Sequence, residues 1–285
     1  MQFLYAAIVL VPLLLAALIS FNNPKRKSTK IARAFYLAVI FIFTYVPIVV
    51  LIIFSFNSAR STGVWEGFSL KWYKALFEDS QLMSALYTTV FVAFASAIVS
   101  TLFGTFASIG IFYMKPQVKN AIMNVTYLPV LNADIITGVA LVLFFNLVSI
   151  PLGYVTLLLS HICFSVPYVI LSVMPKLKQM DNNLYEAALD LGSTPMTALR
   201  KVIIPEISPG IVSGFLLALT MSIDDFVISF FTAGPVLSNL SIEIYAATKR
   251  GVTPEFNAIS AIMFVVVLTI LIIINLRKPK DEKAK

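Results

Sequence analysis

The sequence contains few of the residues on which soluble enzymes and metalloproteins depend. Only 12% of its 285 residues are charged and 59% are hydrophobic, whereas a soluble domain carries about 25% charged residues. The one cysteine, Cys163, excludes an internal disulfide. Together with the one histidine, His161, it leaves too few soft ligands for a structural zinc or iron–sulfur site. We therefore expect neither a metal nor a bound cofactor.

Signals of enzymatic chemistry are also missing. None of the 11 glycines precedes a lysine, so the chain lacks the Gly-Lys-Ser/Thr loop that cradles nucleotide phosphates. No pairing of a nucleophile with a base is visible. We expect no catalytic site in this chain, and if it takes part in ATP-driven work, another subunit hydrolyses the ATP.

Long uncharged stretches predict membrane-spanning helices, because a helix crosses the hydrocarbon core with about 20 apolar residues. The predicted spans lie near residues 3–21, 35–56, 86–112, 121–147, 155–174, 207–231 and 257–276. The expected fold class is an all-α integral membrane protein. Residues 35–276 would form a six-helix core, preceded in residues 1–34 by an extra span with a basic linker and followed by a basic tail, 277–285.

The positions of lysine and arginine predict the orientation in the plasma membrane. Most of the 21 basic residues fall on one side of the predicted spans, which is therefore cytoplasmic and includes the C-terminus. They are Lys25, Arg26, Lys27, Lys30, Arg33, Lys115, Lys119, Lys176, Lys178, Arg200, Lys201, Arg277, Lys278, Lys280, Lys283 and Lys285. Since the net charge of +7 lies beside apolar runs, it indicates membrane topology rather than nucleic-acid binding.

The first apolar segment, residues 3–21, differs from a cleaved signal peptide, which carries its positive charge before the apolar run. Here the basic cluster follows the run. We expect an uncleaved span with its N-terminus outside; the alternatives are a signal-like leader or a start codon chosen too early.

A polar cytoplasmic segment, residues 176–206, contains the start and stop signals of two short helices. Asn183 and Glu186 fit a capping box at the start of the first helix, and Gly192 supplies its stop. Pro195 suits the first turn of a second helix, which we expect to end before Pro205.

The same segment resembles the EAA loop of binding-protein-dependent ABC importer permeases. The resemblance rests on Glu186-Ala187-Ala188, on Gly192 after three intervening residues, and on Val202-Ile203-Ile204-Pro205 after nine more. Val202 and Ile204 are conservative departures from that pattern. The resemblance implies the six-helix MetI-like fold and a site of ATPase coupling at Glu186, Ala187, Ala188, Gly192 and Pro205. Its implied partners are ATP-binding ABC subunits, a second permease subunit and an extracytoplasmic binding protein. Glu186 either reaches a basic group of the ATPase or serves only as the capping partner.

Three aspartates lie inside predicted spans, where each ionised group costs about 2.5–3.5 kcal/mol on the insertion scale. Counted from the cytoplasmic ends at about 1.5 Å per residue, Asp134 lies about 20 Å deep and Asp224 about 25 Å deep. The spans contain no basic residue to neutralise them, which favours a cationic substrate. In one continuous helix Ser222, Asp225 and Ser229 would share a face, so one aspartate of the pair 224–225 would line a pathway and the other would cap or pair locally. Alternatively, the acids satisfy broken helix ends or an interface.

Further motifs narrow the resemblance to C-type permeases of spermidine/putrescine importers, from about Tyr36 to Ile274. The motifs are Phe54-Ser55-Phe56-Asn57-Ser58, Trp65-Glu66-Gly67-Phe68, Lys71-Trp72-Tyr73, Leu159-Ser160-His161-Ile162 and Gly251-Val252-Thr253-Pro254-Glu255. The resemblance implies a polyamine as the substrate, with Asp134, Ser222, Asp224 and Asp225 associated with its passage. Spaced carboxylates between apolar and aromatic walls suit such a cation.

Trp65 and Trp72 fall in the first external loop. Both serve as interfacial anchors, or they contact the binding protein or stack on a cationic substrate. His161 and Cys163 are expected to pack or to form hydrogen bonds between helices. Two rival functions stay open: an ABC importer permease for another small solute, and an ATP-independent cation carrier in which the acids bind the coupling ion.

Overall fold

The computed structural model describes residues 27–60, 64–181, 183–251 and 253–276. This part of the chain is helical, and its only bridge between extended segments joins Asn57 to Phe68. The all-α class predicted from the apolar runs is confirmed. The predicted span 3–21 and the basic tail 277–285 lie outside the described residues, and the domain boundaries at 34/35 and 276/277 remain predictions.

The helices are numbered α1 to α12 in chain order. They are α1 (Lys27–Ser55), α2 (Lys71–Glu78), α3 (Ser80–Phe112), α4 (Pro116–Leu131), α5 (Asp134–Leu147), α6 (Tyr154–Gln179), α7 (Asn183–Asp190), α8 (Pro195–Glu206), α9 (Ser208–Asp224), α10 (Val227–Thr232), α11 (Leu240–Arg250) and α12 (Pro254–Leu276). The chain divides into two units, Met1–Ala75 with Thr253–Lys285, and Leu76–Val252.

Three of the described helices are long and apolar enough to cross a membrane by themselves. They are Phe35–Ser55 of α1, α3 and α6. Two bent pairs, α4 with α5 and α8 with α9, bring the total to five if each pair is one span, and Pro254–Thr269 of α12 is a shorter apolar helix.

In the first unit, α1 packs against α12, and a loop is folded around Asn57. The Asn57 amide nitrogen donates to the Val64 carbonyl at 2.6 Å, and its side-chain oxygen accepts from the Glu66 backbone at 3.0 Å. The indole nitrogen of Trp72 donates to the Asn57 carbonyl at 2.7 Å. Because these bonds satisfy buried polar groups in an irregular segment, they hold the loop in one conformation.

The second unit is built on α3, α6 and α9, which pack against one another. The buried face of α3 carries small residues, and such residues let helix backbones approach closely in a membrane. Val169 of α6 is wedged between two glycines. A Cβ on Gly104 of α3 would lie 2.7 Å from the Val169 Cβ, and one on Gly214 of α9 would lie 3.2 Å from its Cγ1. The core therefore requires glycine at the tighter of these crossings.

Two predicted spans are broken rather than continuous. Residues 121–147 form α4 and α5, which meet at an angle of 105°, because the chain leaves the helix at Asn132, whose backbone is extended. Pro129, which cannot donate to the helix ladder, lies within the last turn before this break. The expected helix 207–231 ends at Asp224, and α10 begins at Val227. The prediction of one continuous helix was wrong for 207–231, whereas a broken helix end at Asp134 was among the alternatives left open for 121–147. Each break lies beside an aspartate.

Candidate functional site

The second break separates the neighbouring acids Asp224 and Asp225. Asp224 is the last residue of α9 and is exposed, whereas Asp225 is extended and its side chain is only 6% exposed. The Asp225 carboxylate accepts from the Ile228 amide at 3.2 Å and from the Ser229 amide at 2.8 Å. It therefore caps the N-terminus of α10, where backbone N–H groups have no helical partner.

His161 of α6 lies behind this break and is 1% exposed. Its Nδ1 lies 2.6 Å from the Ser222 hydroxyl of α9, and its Nε2 lies 3.0 Å from the Ser229 hydroxyl of α10. The Asp225 Oδ2 is 3.7 Å from the same Nε2. The prediction that His161 forms hydrogen bonds between helices is confirmed.

The expected common helical face of Ser222, Asp225 and Ser229 does not exist, because the helix stops between the first residue and the other two. The three side chains nevertheless converge, since each lies near the His161 ring. Ser222 is 2% exposed and also accepts from Ser96 of α3 at 3.2 Å. In this structure Ser222 and Asp225 therefore form internal contacts rather than an open surface.

Asp134 is the first residue of α5 and is exposed. A carboxylate in the first helical turn is favoured by the helix dipole. The helix α5 packs against α10, and a Cβ on Gly138 would lie 2.9 Å from the Phe231 ring. This packing brings Asp134 within electrostatic range of Asp224, so two exposed carboxylates lie at the two helix breaks.

Aromatic rings follow the acids. Phe226 lies 4.4 Å from Tyr245 of α11 and 5.4 Å from Phe230, measured between ring centroids. The Lys249 Nζ lies 4.9 Å from the Tyr245 centroid, so this ring holds an ammonium group by a cation–π contact. Sequence reasoning missed Phe226, although its position directly after two acids in an apolar run was visible.

A cavity of about 360 Å³ lies beside the aromatic group. Its wall includes Phe230, the exposed Val236, the buried Glu243 and Arg250. The Glu243 carboxylate accepts from the Gln81 amide at 3.0 Å, which ties α11 to the start of α3.

Trp65 belongs to the first unit and is 47% exposed, with its ring edge-on to Phe54 at 6.2 Å. Trp72 differs from the expectation of an anchor or a contact residue, because it is 7% exposed and bonded to Asn57. It is a buried residue of α2 whose indole ties that helix to the loop around Asn57. The alternation of polar and apolar residues around it gave no sign of this long-range bond.

The predicted coupling segment folds as α7 and α8. Gly192 has φ +83°, the left-handed conformation that ends a helix, and the Ser193 amide donates to the Ala188 carbonyl at 3.1 Å. Thr194 caps α8, with Pro195 in its first turn. Glu186 and Ala187 are exposed, whereas Ala188 is buried.

Two details of this segment differ from the predictions. The helix α7 begins at Asn183, so Asn183 is its first helical residue and not the capping residue. The backbone amide of Asn183 donates to the Asp181 carboxylate at 3.0 Å. The helix α8 continues through Pro205 to Glu206 instead of ending before the proline. It does so through a π turn at Leu199–Ile203, which accommodates the i−4 bond that Pro205 cannot make.

The coupling segment exposes apolar side chains. Leu191 is 87% exposed, Met196 is 63% exposed and Leu184 is 39% exposed. On the inner side, the Tyr185 ring lies 5.8 Å from Tyr113 at the end of α3. The segment is therefore joined to a long membrane helix and presents an apolar surface away from it.

Comparison with known sequences identifies a protein family that matches this chain. Residues 100–277 match the family described as "Binding-protein-dependent transport system inner membrane component". The chain is 36% identical over 250 residues to the spermidine/putrescine transport system permease protein PotC of Haemophilus influenzae, covering 88% of this chain and 97% of the relative. It is 34% identical over 230 residues to the putrescine transport system permease protein PotI of Escherichia coli, covering 78% and 82%.

Solved structures share the fold. One chain of a bacterial ABC transporter that imports the acidic polysaccharide alginate superposes with a TM-score of 0.69 at 12% identity, covering 90% of this chain and 99% of the other. A chain of an amino acid ABC transporter superposes with a TM-score of 0.51 at 21% identity, covering 72% and 93%.

Proposed function

The chain belongs to the family of binding-protein-dependent transport system inner membrane components, and on this premise we propose that it is the permease subunit of an ATP-driven polyamine importer. It is a multi-pass membrane protein and a transport subunit rather than an enzyme. Permeases of this kind work with ATPase subunits and an external binding protein. The spermidine or putrescine specificity, and the second permease subunit, belong to the proposal.

The observation that carries the proposal is the pair of exposed carboxylates at the helix breaks. In the described part of the chain, neither Asp134 nor Asp224 forms a salt bridge with lysine or arginine. Two such groups within electrostatic range attract a cation, and a polyamine carries ammonium groups separated by methylene chains. Phe226, which packs against Tyr245, offers an aromatic ring to the same ligand.

The geometry supports a division of roles between the two neighbouring acids. Asp224 has the exposure that a substrate contact requires, whereas Asp225 and Ser222 are engaged in internal hydrogen bonds. We therefore assign substrate contact to Asp134 and Asp224, and we assign the support of the break to Asp225 and Ser222. Trp65 remains a proposed contact, since an exposed indole suits either a cation or a binding protein.

Coupling follows from the exposed surface of α7 and α8. Closure of the ATPase subunits would push this surface, at Glu186, Ala187 and Gly192, and Pro205 lies where α8 passes into α9. Because Tyr185 contacts the end of α3, the movement would reach the membrane helices. The cation would bind transiently, since a deep energy well would trap it.

The test is uptake of labelled spermidine by cells that lack their own importer and express this chain with its partner subunits. Asp224→Asn should lower uptake about tenfold or more, equivalent to about 1.4 kcal/mol of lost binding, without changing the amount of assembled complex. Asp225→Asn should lower the amount of complex, because one amide oxygen replaces a carboxylate that accepts from two buried amides.

The matched control is Asp79→Asn, which removes an acid at the start of α3 but keeps the N-cap bonds to Gln81 and Leu82. It should transport normally. Wild-type uptake by Asp224→Asn, or competition by amino acids but not by putrescine, would contradict the polyamine assignment and favour another solute.

A further inference from the structure

The break between α9 and α10 needs a support, because it lacks the residues that normally stop a helix. No proline or glycine lies between Ser222 and Ser229, and the chain resumes a helix after only two residues. The Asp225 carboxylate explains why α10 can begin. This contact does not explain what holds the end of α9 beside the start of α10.

His161 supplies that contact, because its two ring nitrogens bind one residue on each side of the break. Ser222 lies in the last turn of α9 and Ser229 in the first turn of α10. Both hydroxyls and the ring are at most 2% exposed, so water cannot replace either bond. The ring is therefore a bridge between the two helix ends.

Each serine of the bridge also contacts a further residue. The Ser96 hydroxyl of α3 lies 3.2 Å from the Ser222 hydroxyl and 3.2 Å from the Ala93 carbonyl, and the Asn239 amide donates to the Ser229 hydroxyl at 2.7 Å. A neutral imidazole has one donor nitrogen and one acceptor nitrogen, and a hydroxyl can play either role, so the ring can bind both serines in either tautomer.

The position of Asp224 depends on this arrangement. Each residue added to a helix rotates the next side chain by about 100°. If α9 continued past Asp224, residue 225 would turn with the helix and leave the α10 amides, and Asp224 would no longer be the last residue of its helix. The bridge therefore keeps Asp225 on the amides and leaves Asp224 at an exposed helix end.

We propose that His161 is a positioning residue that holds the helix break and thereby presents Asp224 to the substrate. The part of the proposal that concerns substrate rests on the polyamine function above. The part that concerns the position of residue 224 does not, and the experiment separates the two.

The first measurement uses Asp224→Cys in the full complex, with Cys163→Ser removing the native exposed thiol. The rate of labelling by a cationic, membrane-impermeant thiol reagent reports the exposure of residue 224. His161→Leu should lower this rate about tenfold relative to the same complex with His161. His161→Gln should lower it less, because its amide retains one donor and one acceptor.

The matched control is Ser100→Ala. Ser100 of α3 donates to the Ile162 carbonyl of α6 at 3.2 Å, so the substitution removes a hydrogen bond next to His161 but none at the break. Labelling of residue 224 should be unchanged in this variant. Equal rates in His161→Leu and Ser100→Ala would overturn the proposal whatever the substrate is.

The second measurement is spermidine uptake by reconstituted complexes with the native Asp224. His161→Leu should raise KM about tenfold and leave kcat and basal ATP hydrolysis near wild type, with His161→Gln between the two. A fall in kcat alone would overturn the role toward substrate. If the wild-type complex transports no spermidine but labelling changes as expected, the polyamine function fails and the positioning role stands.

Discussion

Asp224 and Asp225 share one residue type but have different environments, and the difference has a local cause. The chain leaves the helix after the first acid, which places the second one over the free amides of α10. Asp225 is nearly buried and directs both of its oxygens at backbone amides, whereas Asp224 is exposed. Functional assignments based on composition alone would treat the two as equivalent.

Gly192 ends α7 in the left-handed conformation, at φ +83°. Gly192→Ala should weaken this turn by about 1 kcal/mol, because a Cβ is disfavoured at positive φ. Nothing lies within 4 Å of the added Cβ, so the cost is conformational and not steric. Transport per ATP hydrolysed, measured in proteoliposomes, should fall.

Gly110→Ala is the matched control, because Gly110 is helical and its added Cβ also meets nothing within 4 Å. Gly192→Asn should retain more coupling than Gly192→Ala, since asparagine tolerates the left-handed region. Equal coupling in all three variants would show that the turn conformation is unimportant.

At the scale of the elements, the tightest contact is the crossing of α3 and α6. Gly104→Ala should destabilise the protein by about 1–3 kcal/mol, because the new Cβ would lie 2.7 Å from the Val169 side chain. The midpoint of thermal unfolding in detergent measures the effect. The double variant with Val169→Ala should recover only the part of the loss that comes from the Val169 Cγ1, because the Cβ of residue 169 also lies 2.7 Å from the new Cβ and remains. A double variant as unstable as the sum of the two single variants would show that Cγ1 contributes nothing to the clash.

Local sequence signals were enough to predict the helices whose ends are determined by adjacent residues. Gly192 and Pro195 correctly separated α7 from α8, and the apolar runs predicted the helical class. The break at Asp225 was not predictable in this way. His161, which bridges the break, lies 61 residues before Ser222 in the chain. The sequence itself keeps a helical pattern of apolar residues through the break. Pro129 gave a reason for a bend, but its angle of 105° depends on packing.

For the whole molecule, the proposed function makes transport a property of the complex. Proteoliposomes that contain this chain, the second permease subunit and the ATPase subunits should take up spermidine only when ATP and the binding protein are supplied. The chain alone should take up none, because it has no phosphate-binding loop. Uptake driven by an ion gradient without ATP would support the carrier alternative instead.

The exposed apolar side chains of the coupling segment have a consequence for the life of the protein in the cell. Leu191 and Met196 are 87% and 63% exposed, and such patches attract chaperones and proteases when no subunit covers them. A chain made in excess of its ATPase would therefore be recognised as an orphan and removed. On the proposed coupling role, the surface that would transmit force in the finished transporter would also keep its subunits in balance.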